Sequence, residues 1–522
     1  MVSLTNKKVM VVNLLASVLS NLLNLGNLEI SLYTAVEEYQ SIHEYVREKI
    51  REALTRPVSE EERMEFLLQR MNELLKEAES EKSKVITQMA IVEDIDQRIT
   101  YEDCEDVSRI SLKCLTKATT DEVVNIKALN TNGKELGVFI HPKFPVSSAR
   151  VLYEEWKDRP FAIRNIHQGL NAHLRNILYF PIKFKDCLDE NHTYNVHSLI
   201  IPEHVESPQV DDETVKTERD TTRIGFSPIS NMKSLLKTVD ISAEAMPYHV
   251  GNIPYKGISV EEITDASRVE KGFENAFYEA CKCNLDVFFS AEMLCTEKMK
   301  AVTNGQSDYL KPLIWRARLN GLSVPKLILL PTRWENSTNY LLIFDEDGTL
   351  LGKQYKHTPY VDEKYGKVEA LDMTKASDDI YLIHLKNRQR IAIVICAEFL
   401  ANLDYVREFL CGWLGVTLIL VPSYSKGEQD FVASLPIYNN YGVNVIWGDC
   451  CGAVKQKEDG KRIIGGCSYA GTDTIKRFGD CVKCGFSCEG KQHCFFEIEL
   501  STRIKQEKPS SPEVADVRHQ CD

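Results

Sequence analysis

The chain has 522 residues, of which 43% are hydrophobic and 27% charged, and its 63 Lys+Arg against 76 Asp+Glu leave a formal net charge of −13. At roughly 150 residues per domain this length implies two to four domains, and the composition excludes a collagen, a disordered tail protein and a multi-span membrane protein. The acidic balance makes duplex nucleic acid an unlikely main partner, while sixteen cysteines are too sparse for a small disulfide scaffold and leave reduced thiols, a metal site or a catalytic cysteine open.

Residues 9–32 form an apolar stretch behind Lys7 and Lys8 that superficially resembles a signal peptide. Asn13, Ser17, Asn21 and Asn24 draw one polar stripe down it at helical spacing, and no small-x-small cleavage pattern follows. An amphipathic helix of a soluble, cytoplasmic protein is expected, with no membrane segment. Leu32, Ala35, Tyr39, Ile42, Val46, Ile50 and Ala53 continue a helical spacing until Pro57 breaks it. Ser59 followed by Glu62 reads as a capping box. Behind it Met64, Leu67, Met71, Leu74 and Ala78 form a seam that must bury against another helix. Residues 1–90 are thus expected to be an amphipathic helical region, packing as a bundle or serving oligomerisation or a protein partner.

Residues 91–202 read as a mixed α/β region of unknown role. Residues 123–129 and 136–140 flank an Asn-Thr-Asn-Gly turn and predict a strand pair. Residues 176–185 look strand-like, but Pro181 argues against a central position. Arg159, Arg164, His167, His173 and Arg175 near Trp156 and Phe161 read as a solvated helix face rather than a nucleic-acid surface. Residues 203–235 are crowded with charge and predict a linker or surface loop, and residues 505–522 predict a disordered tail.

From residue 236 to 504 apolar runs alternate with helical patterns, which predicts an α/β domain. Residues 285–290 (LDVFFS) form a short buried strand, with Glu292 just past its end. Residues 340–344 and 349–355 form a hairpin across an Asp-Glu-Asp-Gly turn, and Lys356 closes the second strand. Residues 391–395 are apolar on both faces and end at Cys396, followed by a helical pattern over 397–414 and another buried strand over 416–421. A carboxylate, an ammonium and a thiol therefore stand at three strand ends. The thiol at the mouth of a helix is expected to feel partial positive charge that favours thiolate. A neighbouring carboxylate could take its proton, and a lysine could hold the anion formed on a carbonyl oxygen or nitrile nitrogen under attack.

Three blocks in this order, DVFFSAE (286–292), GKQYKH (352–357) and RIAIVICAE (390–398), resemble the segments around the catalytic Glu, Lys and Cys of the nitrilase, or carbon–nitrogen hydrolase, superfamily. FENA (273–276), residues 418–422 with Ser423, and Gly466-Cys467-Ser468 add to the resemblance, which spans roughly residues 237–503. It implies a four-layer α-β-β-α sandwich, commonly dimeric, that hydrolyses a non-peptide carbon–nitrogen bond of a small amide or nitrile through a Cys thioester or thioimidate. Carried over, Cys396 is the nucleophile, Glu292 the general base and Lys356, rather than Lys353, the oxyanion-stabilising cation. The Ala397 main-chain N–H would join Lys356, and Glu363 falls where many members keep a second glutamate that positions substrate. The chain departs from the family at Ser290-Ala291, at Ala397 and Glu398 after the cysteine, and at Asn439-Asn440, positions that bear on the shape of the pocket. The resemblance also leaves room for a catalytically degenerate sensing or assembly module, since such domains occur as appendages in multi-domain chains, including bacterial defence systems.

No cofactor is expected for catalysis. Cys481, Cys484, Cys488 and Cys494 nevertheless fall at a density that suits a structural zinc, with unpaired or redox-active thiols and a disulfide as the alternatives.

Overall fold

A computed structural model describes residues 37–100, 106–111, 126–129, 135–142, 177–181, 183–185, 193–201, 221–230, 232, 234–246, 255–362, 364–385, 389–401, 405–426, 428–441, 443–454, 463–470, 475–478, 494–501 and 517–520, with scattered helical positions between 7 and 22. It is a mixed α/β structure that divides into two compact units, residues 1–200 with 408–415, and residues 201–407 with 416–522. Among the described residues no helix is long and apolar enough to cross a membrane.

The first unit carries helices α1 (Glu37–Leu54), α2 (Glu60–Glu77) and α3 (Glu81–Arg98). The capping box at the start of α2 is present: the Glu62 amide donates to Ser59 Oγ at 3.3 Å and the Ser59 amide to Glu62 Oε2 at 3.1 Å. Met64, Leu67, Met71 and Leu74 of α2 are buried in one core with Val46 and Ile50 of α1 and with Leu15, Val18, Leu19 and Leu22 nearer the N-terminus. The sequence pattern does not announce α3. Val85, Ile86, Met89, Ala90, Ile91, Val92 and Ile95 are buried together with Thr87, Asp94 and Asp96, so burial spreads over several faces and the helix shows no one-sided apolar stripe. Strands Ile126–Leu129 and Glu135–Pro142 pair antiparallel, and Ile177–Pro181 adds to the second at the edge of that three-stranded sheet, where a proline is tolerated. The basic stretch around His167 lies outside the described residues.

The second unit begins earlier than its charge pattern suggests. Within the expected linker, β1 (Thr221–Ser227) is an inner strand rather than a surface loop. Its charged upstream neighbours mask it in the sequence. Gly225 lies in its middle because a Cβ there would stand 2.4 Å from Leu285 Cδ1 and 2.7 Å from the Phe495 ring. In chain order there follow β2 (Leu236–Ile241), β3 (Lys256–Ile263), α4 (Ala266–Lys282), β4 (Val287–Ser290), α5 (Leu310–Leu319), β5 (Leu327–Leu329), β6 (Arg333–Glu335), β7 (Thr338–Asp345) and β8 (Leu350–Tyr355). Then come β9 (Val361–Asp362), β10 (Lys367–Glu369), β11 (Asp379–Leu385), β12 (Gln389–Ile393), α6 (Glu398–Ala401), β13 (Leu418–Ser423), α7 (Glu428–Ser434) and β14 (Asn444–Asp449). The last strands are β15 (Gly465–Ser468), β16 (Ile475–Phe478), β17 (Phe495–Ser501) and β18 (Val517–Gln520). The helical pattern over 397–414 resolves into the single turn α6 and a π-helical stretch, Tyr405–Trp413. The expected disordered tail likewise contains β18, which pairs antiparallel with β17.

One sheet runs β6-β7-β5-β4-β1-β17-β18, with β8 on the far side of β7. A second contains β16-β15-β14-β13-β12-β11, and a small third runs β9-β10-β3-β2. Each large sheet has three parallel strands at its centre: β5, β4 and β1 in one, β12, β13 and β14 in the other. Phe226 of β1 lies 5.9 Å from Phe478 of β16, and a Cβ on Gly448 of β14 would stand 2.4 Å from its ring. Phe273 of α4 packs on Phe288 of β4 at 5.4 Å, and Phe431 of α7 stacks on Trp447 of β14 at 4.9 Å. Loops following the parallel strands are where an α/β fold exposes its chemistry.

Candidate active site

Glu292 stands two residues beyond β4 and has no solvent exposure. Its own amide donates to Ser423 O at 3.2 Å, at the end of β13, and its Oε2 accepts the Tyr424 amide at 3.0 Å. Two bonds to one short segment fix both ends of the residue. Its Oε1 accepts from Asn339 Nδ2 at 2.8 Å and from Lys356 Nζ at 2.9 Å.

Lys356 leaves β8 with its amide bound to Asn339 O at 2.8 Å, so one residue of β7 aligns both the lysine and the glutamate. The lysine is 1% exposed, and its ammonium lies between Glu292 and Glu369, 2.7 Å from Glu369 Oε2. Glu369 ends β10 of the small sheet, and its Oε2 also accepts the Tyr360 amide at 2.8 Å. Lys353, the alternative lysine, instead sits over the Tyr340 ring, 3.5 Å from its centroid.

Cys396 follows β12 with its amide bonded to Pro422 O at 3.0 Å. Its φ of +51° is left-handed, a conformation that costs a non-glycine residue about 1–3 kcal/mol and must be imposed by its surroundings. The buried thiol lies within the electrostatic reach of the Glu292 carboxylate and the Lys356 ammonium. Ala397 is buried beside it, and its carbonyl accepts the Ala401 amide at 2.8 Å, opening α6.

Electrostatics set the resting protonation. Burial pushes the Glu292 carboxyl above the usual range, against the pull of Lys356. Burial alone would lower Lys356, yet the fields of Glu292, Glu369 and Cys396 outweigh it and hold the ammonium charged. Burial and then Glu292 push the Cys396 thiol well up, and Lys356 offsets this only in part. The resting Cys396 side chain is therefore a neutral thiol, against the expectation of a thiolate favoured by a helix N-terminus. The helix in question is four residues long, too short to outweigh desolvation. A neutral thiol near a carboxylate of raised pKa, beside a fixed cation, is a set of groups between which a proton can move.

The structure thus brings Glu292, Lys356 and Cys396 together, each from beyond a different strand. Glu363 lies outside the described residues; the second glutamate on Lys356 is Glu369, six positions on. Its signal is faint, a Lys-Val-Glu alternation in a three-residue strand. Asn339 was findable as an amide at the head of an otherwise apolar strand. Asp449, fully buried at the end of β14, accepts the Ser425 amide at 3.0 Å and the Cys450 amide at 2.7 Å, and so holds the segment that holds Glu292. Of the four cysteines at zinc spacing, Cys481, Cys484 and Cys488 lie outside the described residues, and Cys494 is half-buried just ahead of β17. Among the described residues no group of three or more His, Cys, Asp or Glu could hold a metal ion.

No family model matches the chain, and no curated protein matches it in sequence. Solved structures do show a likeness. An amidase from Nesterenkonia sp. aligns at 12% identity and a TM-score of 0.33, over 57% of this chain and 97% of its own. A mutant of the Nesterenkonia AN1 amidase, described as belonging to the nitrilase superfamily, aligns at 11% identity and a TM-score of 0.32, over 54% of this chain and 90% of its own. A double mutant of the same amidase in complex with acrylamide aligns at 12% identity and a TM-score of 0.31, over 50% of this chain and 87% of its own.

Proposed function

We propose that the second unit is a carbon–nitrogen hydrolase of the nitrilase type, with Cys396 as nucleophile, Glu292 as general base and Lys356 as the cation for the developing anion. The observation that carries this reading is the convergence, inside one buried cluster, of the Cys396 thiol, the Glu292 carboxylate that acts on it and an ammonium 2.9 Å from that carboxylate. Attack of sulfur on an amide carbon moves the thiol proton to Glu292 and charge onto the carbonyl oxygen, which Lys356 and the Ala397 amide would hold. Glu292 then returns the proton to the leaving nitrogen, and ammonia or an amine departs from a thioester. Water attacks the thioester carbon while Glu292 takes its proton, the carbon–sulfur bond breaks, and Glu292 returns that proton to the sulfur, releasing the acid and restoring thiol and carboxylate. For a nitrile the first adduct is a thioimidate. Glu369, bonded to the lysine, keeps the ammonium aimed, and Glu363 stays the candidate for positioning substrate.

A four-layer α-β-β-α arrangement belongs to the same reading. Its support is the Phe273–Phe288 contact on one side, the Phe226–Phe478 contact at the centre and the Phe431–Trp447 stack on the other. The substrate is expected to be small, because Cys396 is only 5% exposed. A panel of short-chain amides and nitriles tests the reading by ammonia release and by intact mass. At least one should leave an acyl mass on Cys396 that Cys396→Ala abolishes; no adduct from any of them would sink it in favour of a non-catalytic module.

A further inference from the structure

Both catalytic loops end on one carboxylate that belongs to neither the base nor the cation. Glu398 is 1% exposed. Its Oε2 accepts the Ile395 amide at 2.8 Å, and its Oε1 accepts the His357 amide. Ile395 is the residue before Cys396, and His357 is the residue after Lys356. The His357 ring adds to the same contact, with Nδ1 3.6 Å from Glu398 Oε1 and Nε2 2.9 Å from Ser377 O, so its imidazole is held from both sides. These are the neighbouring peptide units of the nucleophile and of the ammonium, carried by different sheets.

We propose that Glu398 is a positioning residue that ties the nucleophile to the cation, its two oxygens gripping the main chain on one side of Cys396 and on the other side of Lys356. The inference rests on the roles assigned above to those two residues. Geometry gives the reason for a carboxylate. Two main-chain N–H donors converge on one side chain, and an ionised carboxylate offers an acceptor to each, whereas an amide offers one oxygen and a donor that would face the second N–H. The tie also bears on the left-handed backbone at Cys396, since Ile395 is held at the residue before the turn. The third consequence is electrostatic. Lys356 draws the thiol toward ionisation, and a loosened tie withdraws that help.

Labelling of Cys396 in the full chain by iodoacetamide at pH 8, followed by peptide mass, tests this without any substrate. The thiolate is the reacting form, so withdrawing the lysine slows labelling by about tenfold for each pK unit gained by the thiol. Glu398→Gln is expected to label at least about fivefold more slowly than the unaltered chain, at an unchanged thermal transition. A merely structural role predicts the opposite sign, because a loosened site exposes the thiol and speeds labelling. Glu398→Asp keeps both acceptor oxygens on a shorter stem, should label at an intermediate rate, and serves if the glutamine variant fails to fold. Labelling by the folded variant at or above the unaltered rate overturns the proposal. Absence of any acyl adduct in the unaltered chain would overturn the hydrolase reading while leaving this outcome readable by itself.

Discussion

Lys356→Met removes the only cation bonded to Glu292 among the described contacts while keeping an apolar stem of similar length. Glu292 is 0% exposed and Glu369 7%, so two carboxylates are left facing one another out of water. Breaking a buried ion pair from one side costs about 3–5 kcal/mol, because the remaining charge is uncompensated. The cluster can relieve that cost by binding a proton, which makes the loss depend on pH. Glu292 already titrates above its ordinary 4.5 because of burial, and Lys356 is the largest influence opposing that shift. A carboxyl whose folded pKa is raised contributes its full stability below the unfolded pKa and loses it as pH rises through the folded pKa. Removing the lysine raises the folded pKa further, so the loss extends to higher pH at about 1.4 kcal/mol per unit for one proton. The variant should therefore be destabilised by about 3–5 kcal/mol at pH 8, and the difference should shrink steadily toward pH 5. Urea unfolding followed by tryptophan emission, to which buried Trp447 contributes, measures this directly. A difference below about 1 kcal/mol, or one that stays constant from pH 5 to 8, would refute the argument that Lys356 neutralises a buried carboxylate pair.

Two further outcomes follow from single features. Cys396→Gly should exceed Cys396→Ala in stability by about 1 kcal/mol, a reversal of the usual order, because only glycine adopts a φ of +51° without strain; thermal unfolding of the pair decides it, and alanine proving equal or better would mean the turn is unstrained. In the first unit, Leu67→Ala should cost about 2–5 kcal/mol, since the side chain is fully buried in the helical core. Size measurement of the same variant checks the expected assembly role: an unchanged mass with normal folding would show that the seam serves the core alone.

The parts of the site legible in the sequence share one property. Glu292, Lys356 and Cys396 each follow a strand whose apolar run or hairpin pattern marks its own end, so their placement is a local matter. Glu369 is different. It reaches Lys356 from a three-residue strand in a separate small sheet, and nothing near it in the chain marks that strand as part of the site. Asp449 and Glu398 act through main-chain donors, Ser425 and Cys450 for one and Ile395 and His357 for the other, and backbone partners carry no sequence signature. The fold shows the same division. The seam of α2 is readable because one face alone is apolar, whereas α3 is buried on several faces and loses its periodicity. Strand β1 was hidden by composition: its short core run sits directly behind a highly charged segment, and averaging over the two reads as linker.

The site residues come from strands in three different sheets, and this orders events in time. A ribosome releases Glu292 long before Cys396, and the Tyr424 amide that steadies the glutamate comes later still. Until β13 is in place the carboxylate lacks that anchor and the Cys396 amide lacks its acceptor at Pro422. A nascent or partly unfolded chain would thus carry an ordinary, accessible cysteine, and the buried thiol of raised pKa would appear only with the finished tertiary structure. Protection of this thiol is a property of the assembled sheets, which makes the fall in the rate of Cys396 labelling a direct clock for the last step of folding.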